Sequence, residues 1–397
     1  MLNPNFNKPC VVAALKDAQQ KYKTARSAIP KHFPEDSKKN LAISSISKDL
    51  AQQLLKFKPF NQNPPIYISI GLGSTQINTS DFAEKLVRQV MDGESAESAI
   101  ECLMAVFRLR EATGKVYSSV WGVTGNKTIK FDNGVTLTRS TLEIATNPSD
   151  LMAFSMPPQA VLSVPHNISP IFYDSTAHST FDAQFAKNYD HLKDVALAMT
   201  LIGPSSPLII KTWFEFDSLE LQRVFPNQRS LRSHHEVVPF RFAQLKPIDT
   251  RNVKNLAKHF IGFKSSQLDL MRLSLNRFNQ SLRRLSPEDA CLDLAIVLEA
   301  VLGDSQSDSI SHKLRVRGAL LLGGTAEVRK NNFKILKELY DIRSGLVHNK
   351  KRKEINKNHE TVEAANKIVN DILRKIVNLG FLPNWHHFDL TGKIVDR

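Results

Sequence analysis

The spacing of apolar positions changes character near residue 250 of this 397-residue chain. Beyond Asn252, apolar residues recur at steps of three and four through Ser266–Leu282, Pro287–Leu302, Ser309–Leu322, Ala326–His348 and His359–Leu379. Steps of that size line up one face of a helix, so an all-α bundle is expected there. Local signals agree. Ser286-Pro287-Glu288-Asp289 supplies an N-cap serine, a first-turn proline and acidic side chains at the positive end of the helix dipole. Gly323-Gly324 is a glycine stop.

Before residue 250 the pattern is mixed. Ile66-Tyr67-Ile68-Ser69-Ile70 is a β-branched run that predicts a strand, ending in Gly71-Leu72-Gly73-Ser74. Gln76 stands where a dinucleotide fingerprint needs its third glycine, so this loop reads as a tight turn rather than a phosphate cradle. Helices are expected over Ser80–Met91, with Ser80 as cap, and Ser95–Arg110. Thr128–Phe131 and Val135–Thr138 alternate around Asp132-Asn133-Gly134, whose turn residues tolerate positive φ and predict a hairpin. Further strands are expected at Ala160–Val164 and Leu208–Phe216. A helix between them carries Phe185, Leu192, Val195, Met199 and Ile202 on one face and stops at Gly203-Pro204. Three parts follow: residues 1–60 as a loosely held arm, 61–250 as an α+β domain of mostly antiparallel strands, and 251–397 as a helical domain. No internal repeat is visible.

Charge adds a partner class. The chain carries a net +14, and from Arg251 to Arg397 there are 26 Lys and Arg against 16 Asp and Glu. Polyanions are the natural partners of such a surplus, although a lysine-rich surface also serves solubility alone. Cys10, Cys102 and Cys291 are far apart and have no Cys-x-x-Cys spacing, so neither a disulfide framework nor a zinc site is expected. His234-His235-Glu236 and His386-His387 lack the His-Glu-x-x-His spacing and read as loop histidines, and no metal or other cofactor is expected. Most of Tyr117, Trp121, Trp213, Phe214 and Phe216 read as sheet-core aromatics rather than base-stacking platforms. No apolar run reaches a membrane span and residues 1–20 lack a signal-peptide core, so a cytoplasmic protein without membrane contact is expected.

The chemistry concentrates near the end of the fourth C-terminal helix. Tyr340-Asp341-Ile342-Arg343-Ser344-Gly345-Leu346-Val347-His348-Asn349 sets an arginine and a histidine with four residues between them. Arginine is a fixed cation whose planar fork matches phosphate oxygens, and histidine exchanges a proton near neutral pH. On a regular helix a five-residue step separates the two by about 140°. Gly345 and the polar run after His348 therefore predict that the helix loosens or ends there and lets both side chains reach one cleft. Ile335, Leu339, Ile342 and Leu346 form the expected core-facing stripe, with Arg343 at its edge. Glu299 lies on a helix that is apolar on nearly every side from Leu292 to Leu302. A carboxylate there needs a partner, and Arg343 is the candidate.

From about Gln267 to Gly380 the segment resembles a HEPN domain, of the ApeA-like variety. The resemblance rests on Leu298-Glu299-Ala300-Val301-Leu302, on Lys313-Leu314-Arg315-Val316-Arg317, and on Tyr340 to His348 with its Arg-x4-His motif; a looser likeness runs from Trp121 to Leu137. Ser344 stands where many HEPN nucleases carry Asn, Asp or His. The resemblance implies a HEPN helical bundle and metal-independent RNA cleavage, with His348 as general base on a ribose 2′-hydroxyl and Arg343 stabilising charge on the phosphate. It implies helper roles for Glu299, Ser344 and Asn349, with RNA held by Lys350, Lys351, Arg352, Lys353 and Tyr340. RNA, with tRNA among the candidates, is the implied substrate. The implied setting is bacterial antiviral defence or a toxin-like role, with a phage-derived or cellular trigger bound by the N-terminal domain. Since one chain has one motif, the family's shared cleft implies a homodimer. The rival expectation is a non-catalytic nucleic-acid-binding, dimerisation or regulatory module in which Glu299 and Arg343 only lock two helices.

Overall fold

The structure, a computed structural model, describes residues 7–71, 73–125, 127–139, 158–174, 183–225, 230–232, 243–245, 249–304, 310–347 and 355–397. It has an N-terminal α+β region followed by a mostly helical C-terminal part. The chain divides into two compact units. One comprises Met1–Val116, Pro165–Asn188 and Trp213–Leu231; the other comprises Tyr117–Val164, Tyr189–Thr212 and Arg232–Arg397. This is a different partition from one cut near residue 250.

In the first unit, α1 (Lys8–Ser27) and α2 (Glu35–Leu54) pack on each other and on α3 (Thr79–Met91), and α1 also meets α4 (Ala96–Phe107). The expected loose arm is therefore corrected to two helices with a buried face, Val11, Leu15, Ala18, Ile43, Leu50 and Leu54 among its residues. The polar sequence is their outer surface, and only helix-on-helix packing makes the apolar minority a core. Asn78 rather than Ser80 caps α3: its side-chain oxygen accepts the Ser80 amide at 2.8 Å. Ser95 caps α4.

Strand β1 (Ile66–Ser69) pairs antiparallel with β2 (Ser74–Gln76) through the glycine turn, where the Ile70 amide donates to the Gly73 carbonyl at 2.9 Å and Gly71 holds φ +77°. The loop is thus a hairpin turn, as its missing third glycine suggests. β8 (Phe172–Asp174) completes this sheet on the other edge of β1. A six-stranded sheet runs in the order β10 (Ser230–Arg232), β9 (Leu208–Phe216), β3 (Ala112–Trp121), β7 (Ala160–Ile168), β6 (Thr136–Arg139), β5 (Ile129–Lys130). β5 and β6 pair Ile129 with Leu137 across the Asp132-Asn133-Gly134 turn, with Gly134 at φ +83°. β4 (Val123–Gly125) pairs parallel with β11 (Ala243–Leu245). Trp121, Trp213, Phe214 and Phe216 are buried, the core role expected of them.

Helix α5 (Ala183–Met199) and the 3₁₀ turn Thr200–Ile202 end at Gly203. Phe185, Leu192, Val195 and Met199 are buried, whereas Ile202 is half-buried. Short α6 (Leu219–Val224) packs on α4.

The second unit holds α7 (Asp249–Ile261), α8 (Ser265–Ser281), α9 (Pro287–Leu302), α10 (Ile310–Leu322), α11 (Ala326–Val347), α12 (Ile355–Leu379) and α13 (Trp385–Thr391). α9 packs on α8, α10, α11 and α12, so it sits at the centre of this group. Ser286 accepts the Asp289 amide at the start of α9, and Gly323 and Gly324 take positive φ after α10. α7 and α13 have no counterpart among the expected helices, and His386 and His387 lie on α13 rather than in a loop. On α12, Val362, Ala365, Val369, Ile372 and Ile376 are buried against the unit's own helices. Among the described residues, no helix is long and apolar enough to cross a membrane.

Candidate functional site

Helix α11 carries the candidate arginine. Thr325 caps it by accepting the Val328 amide, and Leu336, Leu339 and Tyr340 press its inner face into the unit. The expected stripe is rotated: Ile335 and Ile342 are only half-buried, Leu336 and Tyr340 take the core positions, and the side chain of Leu346 lies outside the described part. The cause is that α11 meets α9, α10 and α12. A face touching three helices is wider than one row of aliphatic residues.

Arg343 projects from the edge of that face, with its side chain 40 % exposed. Its Nη2 stands 3.4 Å from Oε1 of Glu299 on α9, which is 31 % exposed. The expected partnership is present in a wetter form than the apolar surroundings of Glu299 suggest. α9 has an open side, where Ile296 is exposed and Glu299 and Ala300 half-buried, so the carboxylate reaches solvent. At 3.4 Å the contact is longer than a well-formed N–H···O bond of about 2.7–3.2 Å, so Glu299 attracts Arg343 without locking its fork.

Tyr340 stands one turn earlier on α11 and is only 6 % exposed. Its hydroxyl is buried and has no hydrogen-bond partner among the described residues. Burial, and then the nearby Glu299 carboxylate, push its phenol up, while Arg343 and Arg315 pull the other way. The hydroxyl is therefore a neutral donor throughout the physiological range. Ser344 is half-buried beside Arg343.

No break occurs at Gly345 itself, and the stretch from His348 on, where the helix is also expected to loosen or end, lies outside the described residues. α11 continues unbroken through Gly345 to Val347, one residue short of His348. A glycine inside a helix costs only about 1 kcal/mol relative to alanine, less than the packing of Leu336, Leu339 and Tyr340 supplies. His348, Asn349, Lys350, Lys351, Arg352 and Lys353 lie outside the described residues, as does His234-His235-Glu236. The structure thus brings together Glu299, Tyr340, Arg343 and Ser344 of the expected set.

No family model, characterised protein or solved structure matches the chain. The site must accordingly be judged on its own residues. Among those described, no three His, Cys, Asp or Glu side chains are grouped to hold a metal ion.

One residue was missed by reasoning from the sequence. Arg315 and Arg317 belong to the same basic stretch of α10, and two positions on a helix are about 200° apart, so they face opposite ways. Arg317 is 1 % exposed and turns inward, where it donates to Asp304, Asp389 and the Leu302 carbonyl. Arg315 is half-buried and turns toward α11, with its guanidinium 5.4 Å from the centre of the Phe333 ring. The alternation of Arg with Leu and Val shows the two faces; nothing local says which face is outer.

Proposed function

We propose that this chain is a metal-independent endoribonuclease of the HEPN type, with its cleavage site at the end of α11. The observation that carries the reading is the half-exposed Arg343, held loosely by Glu299 near the buried Tyr340, on a helix described through Val347, the residue before His348. A guanidinium so placed can turn its fork toward a phosphate without breaking a tight ion pair.

In this reading His348 takes the proton of a ribose 2′-hydroxyl, the 2′-oxygen attacks the adjacent phosphorus, and the bond to the 5′-oxygen breaks. Arg343 stabilises the negative charge that grows on the phosphate oxygens. The departing 5′-oxygen takes up a proton, leaving a 2′,3′-cyclic phosphate and a 5′-hydroxyl end. Ser344 and Asn349 supply secondary hydrogen bonds, and Lys350, Lys351, Arg352 and Lys353 hold flanking phosphates. The substrate is RNA, tRNA included, and the biological setting is bacterial antiviral defence, triggered through the N-terminal region.

Two chains pair in this reading so that two motifs share one cleft. The apolar row of α12 is already buried in its own unit, so the pairing uses another surface. Sedimentation across the concentrations at which cleavage is measured checks this: a monomer at full activity would rule out the shared cleft.

The deciding experiment incubates the purified full-length chain with total RNA and with tRNA in a chelator and analyses the cut ends. Cyclic phosphate ends from the wild type, and none from folded Arg343→Ala or His348→Ala chains, are expected. Wild-type rates in both variants would end the catalytic reading and leave Glu299 and Arg343 as a contact between two helices in a non-catalytic module.

A further inference from the structure

A cavity of about 210 Å³ lies within the second unit, lined by the later turns of α5, the approach to β9 and the end of α8. Ala196, Leu197 and Leu208 are among its apolar wall, and Lys193 and Arg283 both line it. No Asp or Glu is among the described residues that line it. Arg283 is 9 % exposed, whereas Lys193 and Asn276 are exposed. One cation therefore sits inside and another at a mouth that reaches solvent.

Arg283 is held in place by an amide. Its Nε donates to Asn279 Oδ1 at 3.0 Å, and Asn279 Nδ2 donates to the Pro207 carbonyl at 2.9 Å and to Thr200 Oγ1 at 3.2 Å. The guanidinium is thus anchored to the 3₁₀ turn and to the approach to β9. Asp293 on α9 already bonds Arg277 at 3.2 Å and Arg284 at 2.7 Å. Burial and then Arg284 lower the pKa of Arg283 in spite of Asp293, as befits a cation short of negative charge. A guanidinium taken out of water attracts an anion more strongly than one at the surface, because the surrounding dielectric is lower. Lys193 rests with its Nζ 4.1 Å from the Tyr189 ring centre and 3.4 Å from Asp190, an exposed pairing weak enough to let it turn toward a ligand.

We propose that this cavity binds a small phosphate monoester, with the phosphate on Arg283 and Lys193 and the organic body against Leu197 and Leu208. Charge selects the head group. A phosphate monoester carries about −1.5 to −2 at pH 7, which two cations match, whereas a carboxylate brings a single charge. Size selects the body. The cavity is smaller than the roughly 300–1,000 Å³ of sites for drug-sized ligands, so it suits a compact molecule. Asn276 at the mouth offers a donor and an acceptor to a polar edge of that body. The site is made of residues separate from Arg343 and Glu299 and stands whether or not the chain cleaves RNA.

Isothermal titration calorimetry of the full chain with phenyl phosphate tests this. Inorganic phosphate, the head without the body, and benzoate, the body with one charge, are the comparisons. One site per chain is expected, with Kd on the order of 1 mM or lower and about tenfold tighter than for either comparison. Arg283→Met keeps the length and the apolar packing but not the charge, and should raise Kd about tenfold or more. Lys193→Ala should raise it about threefold, the smaller effect of an exposed cation. Ala196→Leu removes no charge; Ala196 is 5 % exposed, so the added atoms enter the cavity, and Kd should rise about tenfold or more. Circular dichroism and Tm show which variants fold, and if Arg283→Met does not, Lys193→Ala and Ala196→Leu decide. An arginine with a structural role alone would shift Tm in Arg283→Met while the parent ignored phenyl phosphate. A parent that binds none at about 10 mM would overturn the proposal. So would inorganic phosphate or benzoate binding as tightly as phenyl phosphate, or a Kd unchanged in the folded variants.

Discussion

Two arginines two positions apart on α10 meet opposite fates, and the difference is set by the carboxylates that approach from elsewhere. Arg317 is enclosed by Asp304 and Asp389 and spends its donors on them and on the Leu302 carbonyl. Removing it strands two carboxylates, and Arg317→Ala should lower unfolding free energy by about 3 kcal/mol in denaturant titration, the low end for a broken buried pair because both aspartates keep some solvent contact. Glu299 and Arg343 are the contrasting case. Both are about a third or more exposed, so their contact should contribute less than ~1 kcal/mol to stability. Glu299→Ala is thus expected to leave the denaturant midpoint nearly unchanged while slowing RNA cleavage, and Glu299→Gln to slow it less, because the amide still offers Arg343 an acceptor. Equal rates in glutamate, glutamine and alanine chains would remove Glu299 from the site.

Elements follow the same division between local and distant causes. α9 and α11 were legible almost to their ends because serine, proline and glycine signals are read by neighbouring backbone groups. β3 was not, because Gly114, Lys115, Ser118 and Ser119 interrupt its apolar pattern. In place, Ser118 shares a 2.7 Å hydrogen bond with Thr212, and a side chain at Gly114 would meet the Glu215 carbonyl and the Phe214 ring at under 3 Å. The neighbouring strand thus explains both residue choices. The unbroken course of α11 past Gly345 carries its own prediction. A Cβ there meets nothing within 4 Å, so Gly345→Ala should stabilise the chain by roughly 0.5–1 kcal/mol and leave cleavage unaltered. A stabilised chain that no longer cleaves would show that the helix must open there during turnover.

At the scale of the whole molecule, ion pairs on the surface make a modest contribution to the dependence of stability on pH. Glu35, bonded to Lys38 and Arg26, Glu97, bonded to Lys16, and Asp396, bonded to Lys264, all have carboxyls held below their ordinary values. Unfolded, these groups take up protons first as pH falls, so the stability they supply is complete above the ordinary carboxylate range and is lost below it. The urea midpoint is expected to be flat from about pH 6 upward through neutrality and to drop below about pH 4. A midpoint that stays constant to pH 3 would show that these pairings contribute nothing to stability.

The succession of an α+β region by a helical part, most helix limits in that part, the Asn133-Gly134 hairpin and the nomination of Arg343 with Glu299 were all readable from the chain, since each depends on residues within a turn or two or on a periodic face. Tertiary structure alone decided that residues 8–54 pack as a helical pair, that β3 is a strand near the middle of its sheet, that α9 leaves Glu299 half in water, and that Arg317 is locked by two aspartates while Arg315 rests over Phe333. Each of these turns on which distant side chain arrives to cover or to leave bare a given face, and burial and hydrogen-bond satisfaction belong to that meeting of segments rather than to any one of them.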